Sequence, residues 1–151
     1  MSNEEIKSFI TDLLPSAAYD ETGEWLNISI EPHAWKPLAQ QLRNSSSLQM
    51  DYLFCLTCID YPTYMTMVYH LTSTHLKHTL VIKARLDRAL PEIETVCDIW
   101  RTAEFHEREV YDLFGVRFIN HPDLRRLMLT DDWVGYPLRK DYDDPINMIK
   151  L

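Results

Sequence analysis

Between Glu107 and Arg126 the chain reads EREVYDLFGVRFINHPDLRR, a stretch that sets charges of both signs among apolar and aromatic residues. Three chemistries use such residues. Glu107 or Glu109 could work with His106 or His121 as acid and base groups. Carboxylates and histidines could ligate a metal, with help from cysteines elsewhere. Arginines and carboxylates could also lock one segment, or one protein, against another, because the guanidinium fork holds a carboxylate with two hydrogen bonds.

The acid/base reading lacks a nucleophile, an oxyanion hole and a substrate pocket. Cys55 and Cys58 make a single CxxC, and on a strand the three intervals between them point the thiols to opposite faces. A structural zinc or an iron–sulfur cluster takes four ligands, and Cys97 is distant in sequence, so buried apolar cysteines are the plainer reading. His70, His75 and His78 surround a hairpin, with only His75 and His78 close in sequence. His121-Pro122-Asp123 reads as a turn in which Asp123 accepts backbone N–H bonds. Arg125 and Arg126 sit among Leu124, Leu127, Met128 and Leu129, which suits an anchored surface, a phosphate or anionic-lipid contact being the alternative. The locking role is therefore preferred for Glu107, Arg108, Glu109, Asp112, Arg125 and Arg126.

The element that must carry these groups is a helix from about Ala103 to Phe114, with Thr102 as its cap and Gly115 ending it in the left-handed conformation. At 100° per residue Ala103, His106, Val110, Leu113 and Phe114 form an apolar stripe, and Glu107 lies on its flank. Glu104, Arg108 and Asp112 form an i,i+4 row of alternating sign, which on an open surface would contribute only about 0.2–0.5 kcal/mol per pair.

Upstream, Ser2 and Glu5 have capping-box spacing before a helix that runs to Pro15, and WLNISI at 25–30 alternates like a strand. Pro32 can open a second helix presenting Trp35, Leu38 and Leu42, with Pro37 delaying its start. Strands follow at 51–59, 65–72 and 78–86, joined too tightly for parallel crossovers, and helices return after Pro91. That order predicts an α+β single domain, a mixed or antiparallel sheet packed against helices, over residues 1–129. Residues 130–151 lose periodicity yet carry Trp133, Tyr136, Arg139, Lys140 and Tyr142. A disordered tail would lack so many aromatics, and aromatic and Arg anchors are what interfaces use, so this segment is expected to be an extended partner-binding arm.

The chain has 151 residues, 46% of them apolar, enough for one domain that buries roughly two-thirds of its extended surface. A net charge of -8 argues against a general nucleic-acid surface. No apolar run approaches the roughly 18 residues of a membrane span, and no signal peptide is recognisable. Three cysteines cannot all pair, which favours a reducing compartment. The three glycines, at 23, 115 and 135, assemble neither GxGxxG nor GxxxxGK, so the common dinucleotide and P-loop cradles are missing.

The 107–126 stretch resembles the signature of the thirty-kilodalton subunit family of respiratory complex I (the C subunit of NADH-quinone oxidoreductase), with Glu107, Arg108, Glu109, Asp112, Gly115, His121, Pro122, Arg125 and Arg126 in matching places. The likeness continues through LMLTDDWVGYPLRKDY at 127–142 and covers DYLFCLTCIDYP at 51–62 and VYHLTSTHLKHTLVIKARL at 68–86. The resemblance implies a structural subunit with no cofactor of its own, in the peripheral arm of a proton-pumping enzyme that passes electrons from NADH to quinone. The FMN and iron–sulfur clusters are expected in partner subunits. The implied partners are the large quinone-site subunit, of the forty-nine-kilodalton type, and the small iron–sulfur subunit. The place implied is the cytoplasmic side of the bacterial inner membrane. With no fused domain of the quinone-site type, the chain is expected to be a separate subunit. Ferredoxin-linked relatives and membrane-bound hydrogenases use versions of the same subunit. A stand-alone small enzyme or anion-binding module is the competing class.

Overall fold

Ser2 and Glu5 cap each other reciprocally, Ser2 N–H donating to the Glu5 carboxylate at 2.7 Å and Glu5 N–H to Ser2 Oγ at 3.3 Å. This opens α1 (Asn3–Leu13), whose Ile6 and Ile10 are buried. The computed structural model describes residues 1–148. After α1 come β1 (Ala18–Asp20), β2 (Leu26–Ile30), a 3-10 turn at Pro32–Ala34, and α2 (Trp35–Asn44). Pro37 is the third residue of α2, where its missing N–H is one that no intrahelical carbonyl could reach, so the helix accommodates it. Trp35, Leu38 and Leu42 are buried as the spacing predicts, together with Ala39.

A meander of β3 (Tyr52–Asp60), β4 (Tyr64–Thr72) and β5 (Thr79–Asp87) forms the middle of the chain, each strand antiparallel to the next. β2 then pairs with β5 in parallel, Leu26 beside Leu80 and Ile28 beside Ile82, giving a five-stranded mixed sheet in the order β1-β2-β5-β4-β3. The crossover that parallel pairing needs is supplied by everything between β2 and β5, which local spacing does not reveal.

The chain after Pro91 departs from expectation. Instead of two helices it forms β6 (Glu92–Glu94), a set of turns, the single helix α3 (Ala103–Phe114) and β7 (Arg117–Ile119), with β6 and β7 paired in parallel as a separate small sheet. The strands of three residues, β1, β6 and β7, are too short to show a period of two.

Leu26, Ile28, Met65, Met67, Tyr69, Leu80, Ile82 and Ala84 project from one sheet face into a core closed by α1, α2 and residues 93–118. Trp35 sits at its centre, fully buried, 4.4 Å from the Tyr69 ring and stacked at 6.1 Å on Trp100. Trp100 Nε1 donates to the Met50 carbonyl at 2.8 Å, and Lys36 Nζ donates to the Thr95 carbonyl at 2.7 Å. These bonds fasten the β6–α3 connection over the sheet. Trp25 stands on the opposite face, half-buried, edge-on to Phe54 and His70 at 5.9 Å.

Trp35→Ala is expected to cost about 3–5 kcal/mol, the range for deleting a buried ring, with Trp25→Ala costing well under half of that. Equilibrium denaturant unfolding of the two variants measures both values.

Candidate functional site: the charged clasp around α3

The charged groups of α3 point inward. Glu107 and Asp112 are completely buried and Arg108 is 5% exposed, so the surface ladder of Glu104, Arg108 and Asp112 does not form. Of the predicted apolar stripe Ala103 and Val110 are buried, while His106, Leu113 and Phe114 are only half-buried. Thr102 does not cap the helix. Its hydroxyl donates to the Leu53 carbonyl at 2.8 Å, tying the helix start to β3.

Asp112 is the hub. Its Oδ2 accepts three consecutive backbone N–H groups, from Leu127 at 3.1 Å, Met128 at 2.7 Å and Leu129 at 3.0 Å. Its Oδ1 accepts from Arg126 Nη1 at 3.0 Å. Arg126 then reaches the Trp133 and Gly135 carbonyls through Nη2, at 3.0 and 3.1 Å. Burial alone would raise the Asp112 carboxyl, but the three N–H groups and the guanidinium outweigh it and hold it below the ordinary range.

Arg108 donates to the Arg125 carbonyl at 3.2 Å and the Arg126 carbonyl at 3.1 Å, and among the described residues no carboxylate is within ion-pair reach of it. The expected carboxylate fork is therefore replaced by two backbone acceptors. Arg125 turns out to solvent and pairs only with the exposed Asp123 at 3.0 Å. Among the described residues Asp123 accepts no backbone bond in its turn. The His121 ring does so instead, its Nδ1 taking the Asp123 N–H at 3.0 Å. Glu109 stands half-buried, and its charge adds to burial in raising the Cys55 thiol.

Residues 130–148 are strapped onto the same end of α3. Gly115 closes the helix at φ 77°, and a Cβ there would meet the Tyr136 ring at 2.7 Å and the Arg139 guanidinium at 2.8 Å. Glycine therefore satisfies both the backbone and the contact. Arg139 Nε donates to the Phe114 carbonyl at 2.6 Å and Leu138 N–H to the Leu113 carbonyl at 3.0 Å. Further on, Lys140 N–H donates at 2.8 Å to Asp60, a carboxylate that Arg88 grips through Nε and Nη2 while its Nη1 reaches Asp141 at 3.2 Å. Tyr142 packs on Gly135. Trp133 Nε1 is buried with no acceptor among the described residues. The arm thus has an anchored inner side in this chain. Residues 149–151 of the expected arm lie outside the described residues.

The fold also makes a group that spacing did not suggest. Cys97, Glu107 and His121 place one donor atom each within 4.8 Å of one another. Glu107 accepts the Val96 N–H at 2.9 Å and the Thr95 hydroxyl, and lies 3.8 Å from His121 Nε2. Burial pushes its carboxyl up to about 7 against those two bonds. Sequence reasoning set Cys97 aside as remote, and only the β6–β7 pairing brings it to His121. The trio does not act as a nucleophile with its base: burial raises the Cys97 thiol, and both His121 nitrogens already face other partners. Cys55 and Cys58 are free thiols with no part in the group, and burial raises Cys58 to about 12.

Fold and site together define a class of α+β proteins in which buried charges fasten a long C-terminal segment to one helix end. Two solved structures share the fold. The trypsin-resistant fragment (1-134) of Nqo5 aligns with a TM-score of 0.67 and 23% identity, over 80% of this chain and 98% of that one. A chain of the membrane-bound sulfane sulfur reductase, an archaeal respiratory membrane complex, aligns with a TM-score of 0.67 and 28% identity, over 93% and 85%. The family described as "Respiratory-chain NADH dehydrogenase, 30 Kd subunit" matches residues 28–146, and the chain belongs to that family. The C/D subunit of an NADH-quinone oxidoreductase of Phocaeicola vulgatus is 48% identical over 81% of this chain and 24% of its own length. The C subunit of an NADH-quinone oxidoreductase of Chloroherpeton thalassium is 45% identical over 72% and 46%. The chain thus spans about a quarter of the first relative and less than half of the second. Among the described residues no helix is long and apolar enough to cross a membrane.

Because the Asp112 carboxyl is held below its ordinary value of 3.8 in the folded state, its stabilisation is complete above that pH and is lost as pH falls through the lower folded value. Asp112→Ala, which leaves Arg126 without its charge partner, is expected to cost about 3–5 kcal/mol at pH 7. The difference from the parent should shrink below pH 3.8, which unfolding curves at pH 7 and pH 3 check.

Proposed function

We propose that this chain is a non-catalytic structural and assembly subunit in the peripheral arm of a proton-pumping NADH:quinone oxidoreductase. The observation that carries the reading is the two-sided C-terminal segment. Its inner side is spent on α3 and Asp60, while Leu127, Met128, Val134, Leu138, Ile146 and Met148 are exposed, Val134 at 87% and Ile146 at 89%. Apolar side chains held outward on a fastened backbone are a surface for another protein, because their position is already fixed before contact. The charged groups serve this role by fixing the segment, not by acting on a substrate. Trp133, Tyr136, Arg139, Lys140 and Tyr142 are the anchors of that arrangement.

The partners that fit are the large quinone-site subunit and the small iron–sulfur subunit, with the FMN and the iron–sulfur clusters carried by other subunits. The fused C/D relative supports the quinone-site subunit as a neighbour, since its name joins two subunits in one protein. In that complex the chain lies peripherally, on the cytoplasmic side of the inner membrane. A second reading, a ferredoxin-linked relative or a membrane-bound hydrogenase, draws support from the likeness to the sulfane sulfur reductase chain, which spans 93% of this one.

The double variant Val134→Asp/Ile146→Asp is expected to leave unfolding of the isolated chain within about 0.5 kcal/mol of the parent, as for surface substitutions. It should lower recovery of the quinone-site subunit with the tagged chain at least several-fold in gentle purification from native membranes. Full recovery of an active complex with the double variant would reject the scaffold reading. Mass spectrometry of the parent's partners separates the assemblies: a flavin and NADH module marks the NADH-linked enzyme, and its absence marks the other.

A further inference from the structure

We propose that Cys97, Glu107 and His121 form a three-ligand zinc site, with a fourth ligand supplied from the cavity that Cys97 borders. This goes beyond the scaffold role and does not depend on it.

The donors are a thiol, a carboxylate and an imidazole, all within 4.8 Å of one another. Zinc takes sulfur, nitrogen and oxygen ligands of these types at about 2.0–2.3 Å. An ion at such distances fits between Glu107 and His121 Nε2, which are 3.8 Å apart. Both side chains are completely buried. The nearby Lys36 acts on Glu107 through its charge, but its ammonium binds the Thr95 carbonyl and Asp98 rather than the Glu107 carboxylate. Ionising a fully buried carboxylate with no cation in direct contact is costly, and a divalent ion offsets that cost directly.

The supporting groups are in place. The Thr95 hydroxyl and Val96 N–H orient the Glu107 carboxylate and leave each oxygen a further lone pair. His121 needs one rearrangement. Its Nδ1 accepts the Asp123 N–H, so Nε2 carries the hydrogen, directed toward the Glu104 carbonyl at 3.1 Å and toward Glu107. On zinc binding the ring proton moves to Nδ1, Nε2 exchanges the Glu104 carbonyl for the ion, and the Asp123 N–H loses its ring acceptor. The Cys97 thiol, and the fraction of Glu107 protonated near pH 7, release their protons to solvent as they become ligands. Of the three ligands Cys97 alone borders a cavity, about 480 Å³ in volume and lined also by Lys36, Thr95, Asp98, Glu104 and Asn120, so an exogenous fourth ligand would enter on the thiolate side. Three protein ligands and one open place are the arrangement in which zinc holds water or a small exogenous ligand.

The test is titration of the full chain, stripped of metal, with cobalt(II) as a visible stand-in for zinc. The expected result is one cobalt per chain, a thiolate-to-cobalt charge-transfer band in the near ultraviolet, and loss of that band on adding equimolar zinc. Cys97→Ser should abolish the band and weaken zinc binding by more than roughly 100-fold, since loss of even an outer partner costs 10–100-fold. Cys55→Ser should keep both. Glu107→Gln, which retains the geometry of the Thr95 and Val96 contacts, should weaken zinc while preserving the band at higher cobalt. Absence of a band in the parent, or a band that survives in Cys97→Ser, overturns the proposal.

Discussion

A carboxylate with no access to water must find its hydrogen bonds inside the protein, and Asp112 does so by collecting the backbone from Leu127 to Leu129. The rest of the C-terminal region follows from that requirement. One oxygen bends three successive amides toward the helix, and the other fixes Arg126, whose remaining hydrogens fix the Trp133 and Gly135 carbonyls. Arg108 completes the arrangement by binding the carbonyls of Arg125 and Arg126 from the other side. Backbone that forms no strand or helix therefore has its polar groups satisfied by side chains, which is what permits so long an irregular segment to hold one conformation. Replacing such a network by apolar residues need not weaken a protein, so its contribution here is to register rather than to strength.

Asp60 repeats the device at a distance. It ends β3 with its side chain buried, receives Arg88 from just beyond β5, and accepts the Lys140 amide from the arm. Two buried carboxylates on different elements thus hold two points of one extended segment. The outward side chains between those points inherit their placement from the sheet and from α3, although they belong to neither.

Much of this was legible from the residues. Alternation revealed β2, strand-like runs with short connections revealed β3 to β5, the Ser2–Glu5 spacing revealed α1, and Gly115 revealed where α3 stops, since each is a local signal with a local cause. The buried flank of Glu107 was legible too; of the charges expected to lock segments together, Arg108, Asp112 and Arg126 bind the backbone of 125–135, whereas Arg125 faces solvent. The partners of those charges were not. Arg108 binds carbonyls, His121 rather than Asp123 holds its turn, and Thr102 serves β3 instead of its own helix. Each of these depends on which surface the fold brings opposite, and a helical wheel carries no such information. The same limit hid the meeting of Cys97 with His121, because the short strands that bring them together have no period to detect.

The parallel pairing of Leu26 with Leu80 and of Ile30 with Ala84 has a consequence for synthesis on the ribosome. The meander from β3 to β5 can zip up as it emerges, each strand finding the one just made. β2 meets at once only the three residues of β1, and its second edge must wait unpaired until β5 has left the exit tunnel. At about 5–20 residues per second that interval lasts roughly 3–11 s, long compared with the microseconds in which a hairpin forms. During those seconds Leu26, Ile28 and Ile30 are the segment a chaperone would have reason to hold.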